Sequence, residues 1–311
     1  MAHPRRFRFG IQLSKARDAA DWAEQARKAE SLGYDTLFLP DHFGDQLAPV
    51  PALMAAAATT TDLRLGALVF DNDYKHPLVL AKELATIDRL SGGRVEVGLG
   101  AGWLASDYEQ SGIPMDPPGI RVDRLEEGIA VVKGCFGAGP FSFEGNHYRI
   151  SGYDGLPKPA QSPPPLIIGG GARRVLSIAA READIVGINP SIRSGKVDAA
   201  AAQDGAAART DEKVGWVREA AGDRYDDLEI NMLQFAGIVT DDRASTAEMM
   251  APLFGLPPEE VETYPHTCIG TVEQIAEDLH ARRERWDASY LVFQGDSMEP
   301  MAPVVARLRG T

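Results

Sequence analysis

Hydrophobic and polar positions along this chain follow two alternating periods. Short apolar runs rich in β-branched or large apolar residues, which are typical of buried strands, are followed by longer stretches with apolar residues at helical spacing. In the first such stretch Trp22, Ala26 and Ala29 share one helical face, and Gly33 ends the pattern. The eight predicted strands cover residues 7–13, 36–39, 63–70, 94–99, 166–168, 184–188, 228–239 and 289–293.

The segments between these strands predict helices and two insertions. The predicted helices cover residues 18–32, 51–60, 77–90, 121–136, 172–182 and 271–285. Residues 137–165, which contain a predicted hairpin and a Pro-rich loop, are inserted before the fifth strand. Residues 243–264 are inserted between the seventh and eighth strands. The Ala-rich and charged residues 191–221 are expected to form a solvated helix pair outside the repeat.

Strands that alternate with helices and lack a clear linker predict one domain over residues 1–311. We expect an α/β fold of the (β/α)₈ TIM-barrel type, with insertions before strand 5 and between strands 7 and 8. The alternative is a doubly wound open sheet, which usually has fewer strands. The strand count therefore favours the barrel.

The net charge, the apolar stretches and the cysteines limit the kinds of partner expected for this chain. It has 311 residues and a formal net charge of −13, and such an acidic surface disfavours nucleic acids and anionic membranes. The longest apolar stretch is too short to span a bilayer. Cys135 and Cys268 lie far apart in the sequence, which is typical of a protein from a reducing cytoplasm. We therefore expect a cytoplasmic protein that binds a small-molecule substrate, with neither nucleic acid nor membrane as a partner.

Asp41 and His42 directly follow the second predicted strand. In a barrel of this type the catalytic residues lie at the carboxyl ends of the strands. Histidine exchanges a proton near neutral pH, as a redox reaction that gains or loses a proton requires. His42 is therefore predicted to be catalytic, although a hydrogen bond that caps a loop would also explain its presence.

A run of three glycines lies between the fifth strand and the following helix. Gly169, Gly170 and Gly171 leave backbone N–H groups accessible, and the amino end of the helix adds partial positive charge. Arg173 in the first helical turn is predicted to pair with a phosphate. The alternative is a tight turn without a ligand, because the pattern matches neither the Walker nor the Gly-x-Gly-x-x-Gly motif.

The fourth strand ends in small residues and a tryptophan. Gly100 and Gly102 would let a flat ring system approach the backbone, and Trp103 would form a wall of its pocket. The alternative is that these glycines only relieve packing at the barrel rim. Asp71 and Asp73 follow the third strand, but no cluster of further ligands completes a metal site, so we expect no metal.

Taken together, residues 41–43, 88–103 and 168–171 resemble the bacterial luciferase-like superfamily. The likeness extends from about residue 9 to residue 293, and residues 88–103 are its most specific part. It is greatest for the branch that uses coenzyme F420, a deazaflavin. The resemblance implies a (β/α)₈ barrel, with an insertion before the fifth strand and another late in the chain, whose mouth the cofactor covers.

The resemblance also implies roles for individual residues. Leu68 and Val69 would form a non-prolyl cis peptide that supports the cofactor ring, and residues 169–171 would hold its phosphate. Asp41 would contact the deazaflavin, and His42 matches the catalytic histidine of alcohol and sugar-phosphate dehydrogenases. Family members are often dimers, so the resemblance allows a homodimer, although no apolar stripe marks an interface.

Two departures from the dehydrogenase pattern shift the expected reaction. Gln46 stands near the position of a tryptophan in those enzymes, and Trp103 stands where they carry a glutamate. A reductase that uses reduced F420, with His42 as proton donor, therefore fits as well as an alcohol dehydrogenase. The alternatives are an FMN-dependent monooxygenase that activates O₂ and a non-catalytic flavin-binding protein.

Overall fold

Short runs of buried apolar residues form the strands of this fold. The computed structural model describes residues 5–311, and within them thirteen strands are present. They are β1 (Arg8–Gln12), β2 (Thr36–Leu39), β3 (Arg64–Ala67), β4 (Phe70–Asp71), β5 (Val95–Gly100), β6 (Phe141–Glu144), β7 (Arg149–Tyr153), β8 (Leu166–Gly170), β9 (Ile185–Ile188), β10 (Glu229–Gln234), β11 (Ala236–Val239), β12 (Thr267–Gly270) and β13 (Ala288–Gln294).

Segments with helical spacing form the α-helices of the described chain. They are α1 (Ala19–Ser31), α2 (Pro49–Ala57), α3 (Pro77–Ser91), α4 (Ala105–Ser111), α5 (Pro118–Phe136), α6 (Arg173–Glu182), α7 (Ala199–Asp204), α8 (Ala207–Ala221), α9 (Arg243–Phe254), α10 (Pro258–Glu262), α11 (Val272–Trp286) and α12 (Ala302–Leu308). Trp22, Ala26 and Ala29 are buried on the predicted face of α1. The side chain of Asp18 caps the amino end of that helix.

Eight of the described strands pair in parallel around a closed ring. Their order is β1, β2, β3, β5, β8, β9, β10 and β13, and β13 pairs again with β1. The pairing of β3 with β5 closes the ring. The predicted (β/α)₈ barrel is therefore confirmed, and the open doubly wound sheet is excluded.

The core has an outer and an inner part. The outer part lies between the barrel and its helices, where alternate residues of the strands meet the apolar helical faces. The inner part fills the barrel itself with side chains from β2, β8, β9 and β13, namely Phe38, Ile167, Ile185, Tyr290 and Val292. Because the interior is packed, a ligand is restricted to the barrel's ends.

Both predicted insertions are present in the structure. The antiparallel hairpin of β6 and β7 precedes β8. Between β10 and β13 the chain forms β11, α9, α10 and β12, which have a small apolar cluster of their own. In this cluster Val261 and Tyr264 are almost fully buried.

The prediction of a solvated helix pair over residues 191–221 is wrong for its second helix. α8 packs against α6 and buries Val214 and Val217, so it is the barrel helix of the sixth repeat. Lys213 is also buried. Its ammonium group donates hydrogen bonds to the Asn189 carbonyl and the Asp204 carboxylate, which compensate for the loss of water. The charged composition concealed this packing, since a buried lysine leaves no apolar pattern.

Two predicted strands are interrupted in the structure. Residues 63–70 divide into β3 and β4. The cis peptide between Leu68 and Val69 lies between these two strands. Residues 228–239 divide into β10 and β11. At Phe235 the backbone N–H turns to donate to the carbonyl of His266, and β11 leaves the barrel to pair with β12. Within residues 5–311, no helix combines the length and the apolar character needed to cross a bilayer.

An ion-pair network lies inside the amino-terminal half of the barrel. Glu96 on β5 is fully buried and accepts hydrogen bonds from Arg64 Nε at 2.7 Å and from Tyr290 Oη at 2.9 Å. Arg8 bridges Glu96 to Glu229, whose Oε2 lies 2.7 Å from Arg8 Nη1. Burial opposes ionisation, but the two arginines lower the pKa of Glu96 below its ordinary value.

Removing one charge from this network should destabilise the fold. Glu96→Gln leaves the guanidinium groups of Arg8 and Arg64, each about a quarter exposed, without the buried carboxylate that they share. We therefore expect the free energy of unfolding to fall by about 3 kcal/mol, the lower end of the range for breaking a buried pair. Urea denaturation followed by circular dichroism measures this change. Glu144→Gln is the control, since its partner Arg149 and Glu144 are both exposed and an exposed pair contributes little. Equal stability of the two variants would contradict the prediction.

Candidate active site

Four of the predicted segments come together at the carboxyl-terminal mouth of the barrel. Asp41 and His42 follow β2, and the Leu68–Val69 peptide follows β3. Residues 100–103 lie at the end of β5, and residues 169–171 lie at the end of β8. Since the carboxyl ends of all eight parallel strands surround one opening, these segments border the same space.

The peptide bond between Leu68 and Val69 is cis, as the family resemblance implies, so this prediction is confirmed. Gln12 Nε2 donates to the carbonyl oxygen of Leu68 at 2.9 Å. The Val69 side chain occupies space beside the β5 backbone, because a Cβ added at Gly100 would lie 2.5 Å from its Cγ2. Gly100 therefore accommodates Val69, whereas we expected it to accommodate the cofactor ring directly.

Gly102 and Trp103 have different roles in the loop after β5. Gly102 has φ +71°, and a Cβ at this position would lie 1.8 Å from Tyr108 Oη. The glycine is thus required by both its backbone conformation and the hydroxyl beside it. Trp103 contacts His42 edge to face, with ring centroids 5.4 Å apart at an interplanar angle of 88°. The predicted wall residue therefore lies next to the predicted catalytic residue.

Asp107 on α4 binds His42, and the sequence analysis did not identify it. Asp107 Oδ2 lies 2.7 Å from His42 Nδ1 and also accepts a hydrogen bond from Tyr74 Oη at 3.0 Å. Asp107 Oδ1 accepts from the backbone N–H of Phe43 at 3.3 Å. The His42 side chain is 21% exposed and that of Asp107 only 4%. His42 therefore approaches the mouth with Nδ1 occupied, and its catalytic role stays a prediction.

The sequence contains only a weak signal for Asp107, its closeness to Trp103. Asp107 lies four residues after Trp103, in the first turn of α4. This helix has only seven residues and no clear apolar period, so the pattern of hydrophobic positions did not indicate it.

A second group of carboxylates belongs to the segment that includes β4 and the turn after it. Tyr108 Oη is 3.1 Å from Asp71 Oδ2 and 3.0 Å from Asp73 Oδ2. Asp73 is paired with Arg124 at 2.7 Å. Asp41 Oδ2 accepts from the backbone N–H of Asp71 at 3.1 Å, which joins the loops after β2 and β3. Across residues 5–311, no cluster of three or more histidine, cysteine or acidic side chains is arranged to hold a metal ion.

Burial changes the acidity of this group. It raises the pKa of Asp71 to about 7, opposed by the Asp73 N–H that the carboxylate accepts and reinforced by the charge of Asp73. Burial also raises the pKa of Asp41, although the hydrogen bond from Asp71 N–H opposes the shift. The carboxyl group of Asp71 therefore gains or loses a proton near neutral pH.

The three glycines after β8 differ in how closely other atoms approach them. A Cβ at Gly170 would lie 2.6 Å from Val175 Cγ1, and one at Gly171 would lie 2.4 Å from the backbone nitrogen of Ser191. At Gly169 the nearest atom would be 3.6 Å away, an ordinary contact. Gly170 and Gly171 thus permit close packing of the turn, whereas a side chain at Gly169 would make only ordinary contacts.

The amino end of α6 lacks a side-chain cap. Its N-cap residue is Ala172, which has no side-chain oxygen to accept hydrogen bonds from the N–H groups of the first turn. Arg173, predicted to bind phosphate, is paired with Glu219 at 2.7 Å, and both side chains are more than half exposed. The donors that point to an anion here are consequently backbone N–H groups rather than the arginine.

Comparison with known proteins places the chain in a family. Residues 5–302 match the model of the luciferase-like monooxygenase family. The chain belongs to this family.

Two curated relatives of the luciferase-like chain share about a third of their aligned residues with it. The FMNH₂-dependent dimethylsulfone monooxygenase of Pseudomonas putida is 32% identical over 187 residues, which cover 56% of this chain and 51% of that enzyme. An uncharacterised protein of Mycobacterium tuberculosis (strain ATCC 25618 / H37Rv) is 30% identical over 200 residues, covering 57% of this chain and 70% of that protein. The chain thus matches about half the length of the dimethylsulfone monooxygenase.

Several solved structures share the fold of this chain at low sequence identity. The coenzyme F420-dependent tetrahydromethanopterin reductase from Methanopyrus kandleri has a TM-score of 0.79 and 17% identity, covering 98% of this chain and 100% of that one. An F420-dependent secondary alcohol dehydrogenase has a TM-score of 0.78 and 18% identity, with 98% and 100% covered. A long-chain alkane monooxygenase has a TM-score of 0.77 and 16% identity, with 98% and 91% covered.

The raised pKa of Asp71 predicts a stability that depends on pH. Between its ordinary value of 3.8 and about 7 the folded chain binds more protons than the unfolded chain, so this group's contribution to stability is lost as the pH rises. The loss should approach about 1.4 kcal/mol per pH unit within this window. Asp71→Asn should flatten the profile, which urea denaturation at a series of pH values measures.

Asp45→Asn is the control for this measurement, because the Asp45 carboxylate is exposed and pairs with Lys15 at the surface. Profiles for wild type and Asp71→Asn that run parallel between pH values of about 4 and 7 would show that Asp71 titrates normally.

Proposed function

We propose that this protein is an F420-dependent oxidoreductase that transfers hydride between the deazaflavin and a small organic substrate at the barrel mouth. The observation that carries this proposal is the His42 side chain. Its Nδ1 is bound by Asp107, and its ring is partly exposed beside Trp103. A histidine held in this way is equipped to give or take a proton next to a redox cofactor.

The residues around the mouth fit a cofactor that combines a flat ring with a phosphate. The uncapped N–H groups at the amino end of α6 would donate hydrogen bonds to the phosphate. The Leu68–Val69 peptide and Trp103 would lie against the ring. These contacts suit coenzyme F420 and FMN alike, since both cofactors have such a ring and a phosphate.

The proton chemistry follows from the position of His42. When bound, the deazaflavin supplies or accepts a hydride. Hydride addition to an unsaturated bond leaves negative charge on the neighbouring atom, and His42 protonates that atom in the reductive direction. In the oxidative direction His42 accepts the same proton.

A monooxygenase that uses reduced FMN is the second candidate. The observation that favours it is the 32% identity with the FMNH₂-dependent dimethylsulfone monooxygenase. The two functions differ in the ring, because a deazaflavin lacks the nitrogen that supports oxygen activation and therefore favours hydride transfer. The choice of ring consequently decides the class of reaction.

Parallel titrations with F420 and FMN separate the candidates. We expect fluorescence quenching of the two oxidised cofactors to give a Kd for F420 that is lower than the Kd for FMN by about tenfold or more. Tight binding of FMN without binding of F420 would contradict the proposal and support the monooxygenase. Binding of F420 without hydride transfer to any of a panel of ketones, alkenes and imines would instead indicate a non-catalytic binding protein.

A charge placed at the amino end of α6 tests the phosphate site. Ala172→Asp supplies the missing cap, so it should raise the free energy of unfolding by about 1 kcal/mol. The same carboxylate occupies and repels the phosphate position, so F420 binding should weaken by about tenfold or more. Fluorescence titration and urea denaturation measure the two effects.

The control variant is Ala48→Asp, which adds a carboxylate at the start of α2, another helix that begins at the mouth without a side-chain cap. It should leave F420 affinity unchanged. If Ala172→Asp is more stable yet binds F420 as tightly as wild type, the phosphate does not bind at α6.

A further inference from the structure

Asp107 is surrounded by hydrogen-bond donors. Its Oδ2 is 2.7 Å from His42 Nδ1 and 3.0 Å from Tyr74 Oη, and its Oδ1 is 3.3 Å from the backbone nitrogen of Phe43. An ionised carboxylate only accepts hydrogen bonds, so the histidine nitrogen that faces it must carry a hydrogen.

The position of Asp107 is itself fixed by its neighbours. The Tyr74 ring packs on the Phe43 ring, with centroids 4.5 Å apart, which aligns the Tyr74 hydroxyl with the carboxylate. Burial and the nearby carboxylates of Asp71 and Asp107 raise the pKa of Tyr74, so its hydroxyl keeps its hydrogen and remains a donor. The Asp107 side chain is therefore held by two donors that are independent of His42.

The His42 ring is confined between Asp107 and Trp103. The Trp103 ring meets the His42 ring edge to face, with the two ring centroids 5.4 Å apart. The contact between Nδ1 and Asp107 sets the rotation of the His42 ring. Among residues 5–311, no group forms a hydrogen bond with Nε2 of His42. The nitrogen that remains for chemistry is therefore Nε2.

We infer that Asp107 fixes the tautomer of His42, so that neutral His42 carries its hydrogen on Nδ1 and exchanges protons with the substrate through Nε2 alone. The substrate step rests on the proposed function. In the reductive direction the Nε2–H bond of the imidazolium breaks and the proton joins the substrate atom beside the carbon that receives the hydride. The ring becomes neutral and keeps its Nδ1–H hydrogen bond to the Asp107 carboxylate. Asp107 is a positioning residue, since it acts through His42.

The arrangement also assigns a role to Tyr74. Its hydroxyl donates to the Asp107 oxygen that faces His42, so it holds the carboxylate in place without touching the imidazole. When this hydroxyl is lost, the backbone N–H of Phe43 still donates to Asp107, so we expect the Asp107–His42 pair to remain. Tyr74→Phe should therefore keep the tautomer, and it provides a matched variant of the same site.

Nitrogen NMR of the cofactor-free protein tests the inference. With ¹⁵N-labelled histidine and a pH at which the imidazole is neutral, His42 Nδ1 should resonate in the protonated range and Nε2 in the lone-pair range. The signals are assigned by their loss in His42→Gln. In Asp107→Asn the amide can donate to Nδ1, so the Nε2–H form should become populated and the two shifts should move toward each other or exchange.

The outcomes separate this inference from the proposed function. A wild-type spectrum with hydrogen on Nε2, or an unchanged tautomer in Asp107→Asn, would overturn it. If Asp107→Asn does not fold, the wild-type and Tyr74→Phe spectra still decide, because both must show Nδ1–H. The measurement requires neither F420 nor a substrate, so failure to bind F420 would reject the proposed function and leave the tautomer result standing.

Discussion

The close approach of β3 to β5 is the constraint on which the barrel and its mouth both depend. A Cβ at Gly66 would lie 2.6 Å from the carbonyl oxygen of Glu96, and one at Gly98 would lie 2.0 Å from that of Ala67. Because neither side chain is present, the two strands pair and close the ring. The same lack of side chains along β5 leaves room for Val69, so the closure of the barrel and the shape of its mouth arise from one feature.

Hydrogen bonds between the loops convert this scaffold into a site. Asp41 joins the loop after β2 to that after β3, and Asp107 joins both of these loops to α4. Burial raises the pKa values of Asp41 and Asp71 within this group of loops. The rigid frame holds one exchangeable ring, that of His42, next to Trp103. The arrangement thus places the imidazole of His42 beside a carboxylate that is held by other donors.

Sequence reasoning predicted the elements whose signal is local and periodic. The barrel strands, the insertions and the buried face of α1 follow from apolar spacing, and the cis peptide at Leu68–Val69 followed from the family resemblance. Asp107 and Tyr74 were missed because their roles depend on contacts between distant segments. The packing of α8 was missed because Lys213 is buried through hydrogen bonds, which leave no hydrophobic pattern. Likewise, only the three-dimensional structure shows that Gly100 faces Val69.

The central claim is that His42 and a phosphate site at α6 serve one deazaflavin cofactor. A crystal structure of the complex with oxidised F420 tests this claim most directly. We expect the phosphate to bind at the amino end of α6 and the ring to lie against the Leu68–Val69 peptide. His42 Nε2 should be directed toward the substrate side of the ring. A phosphate bound elsewhere, or a His42 ring turned away from the cofactor, would contradict it.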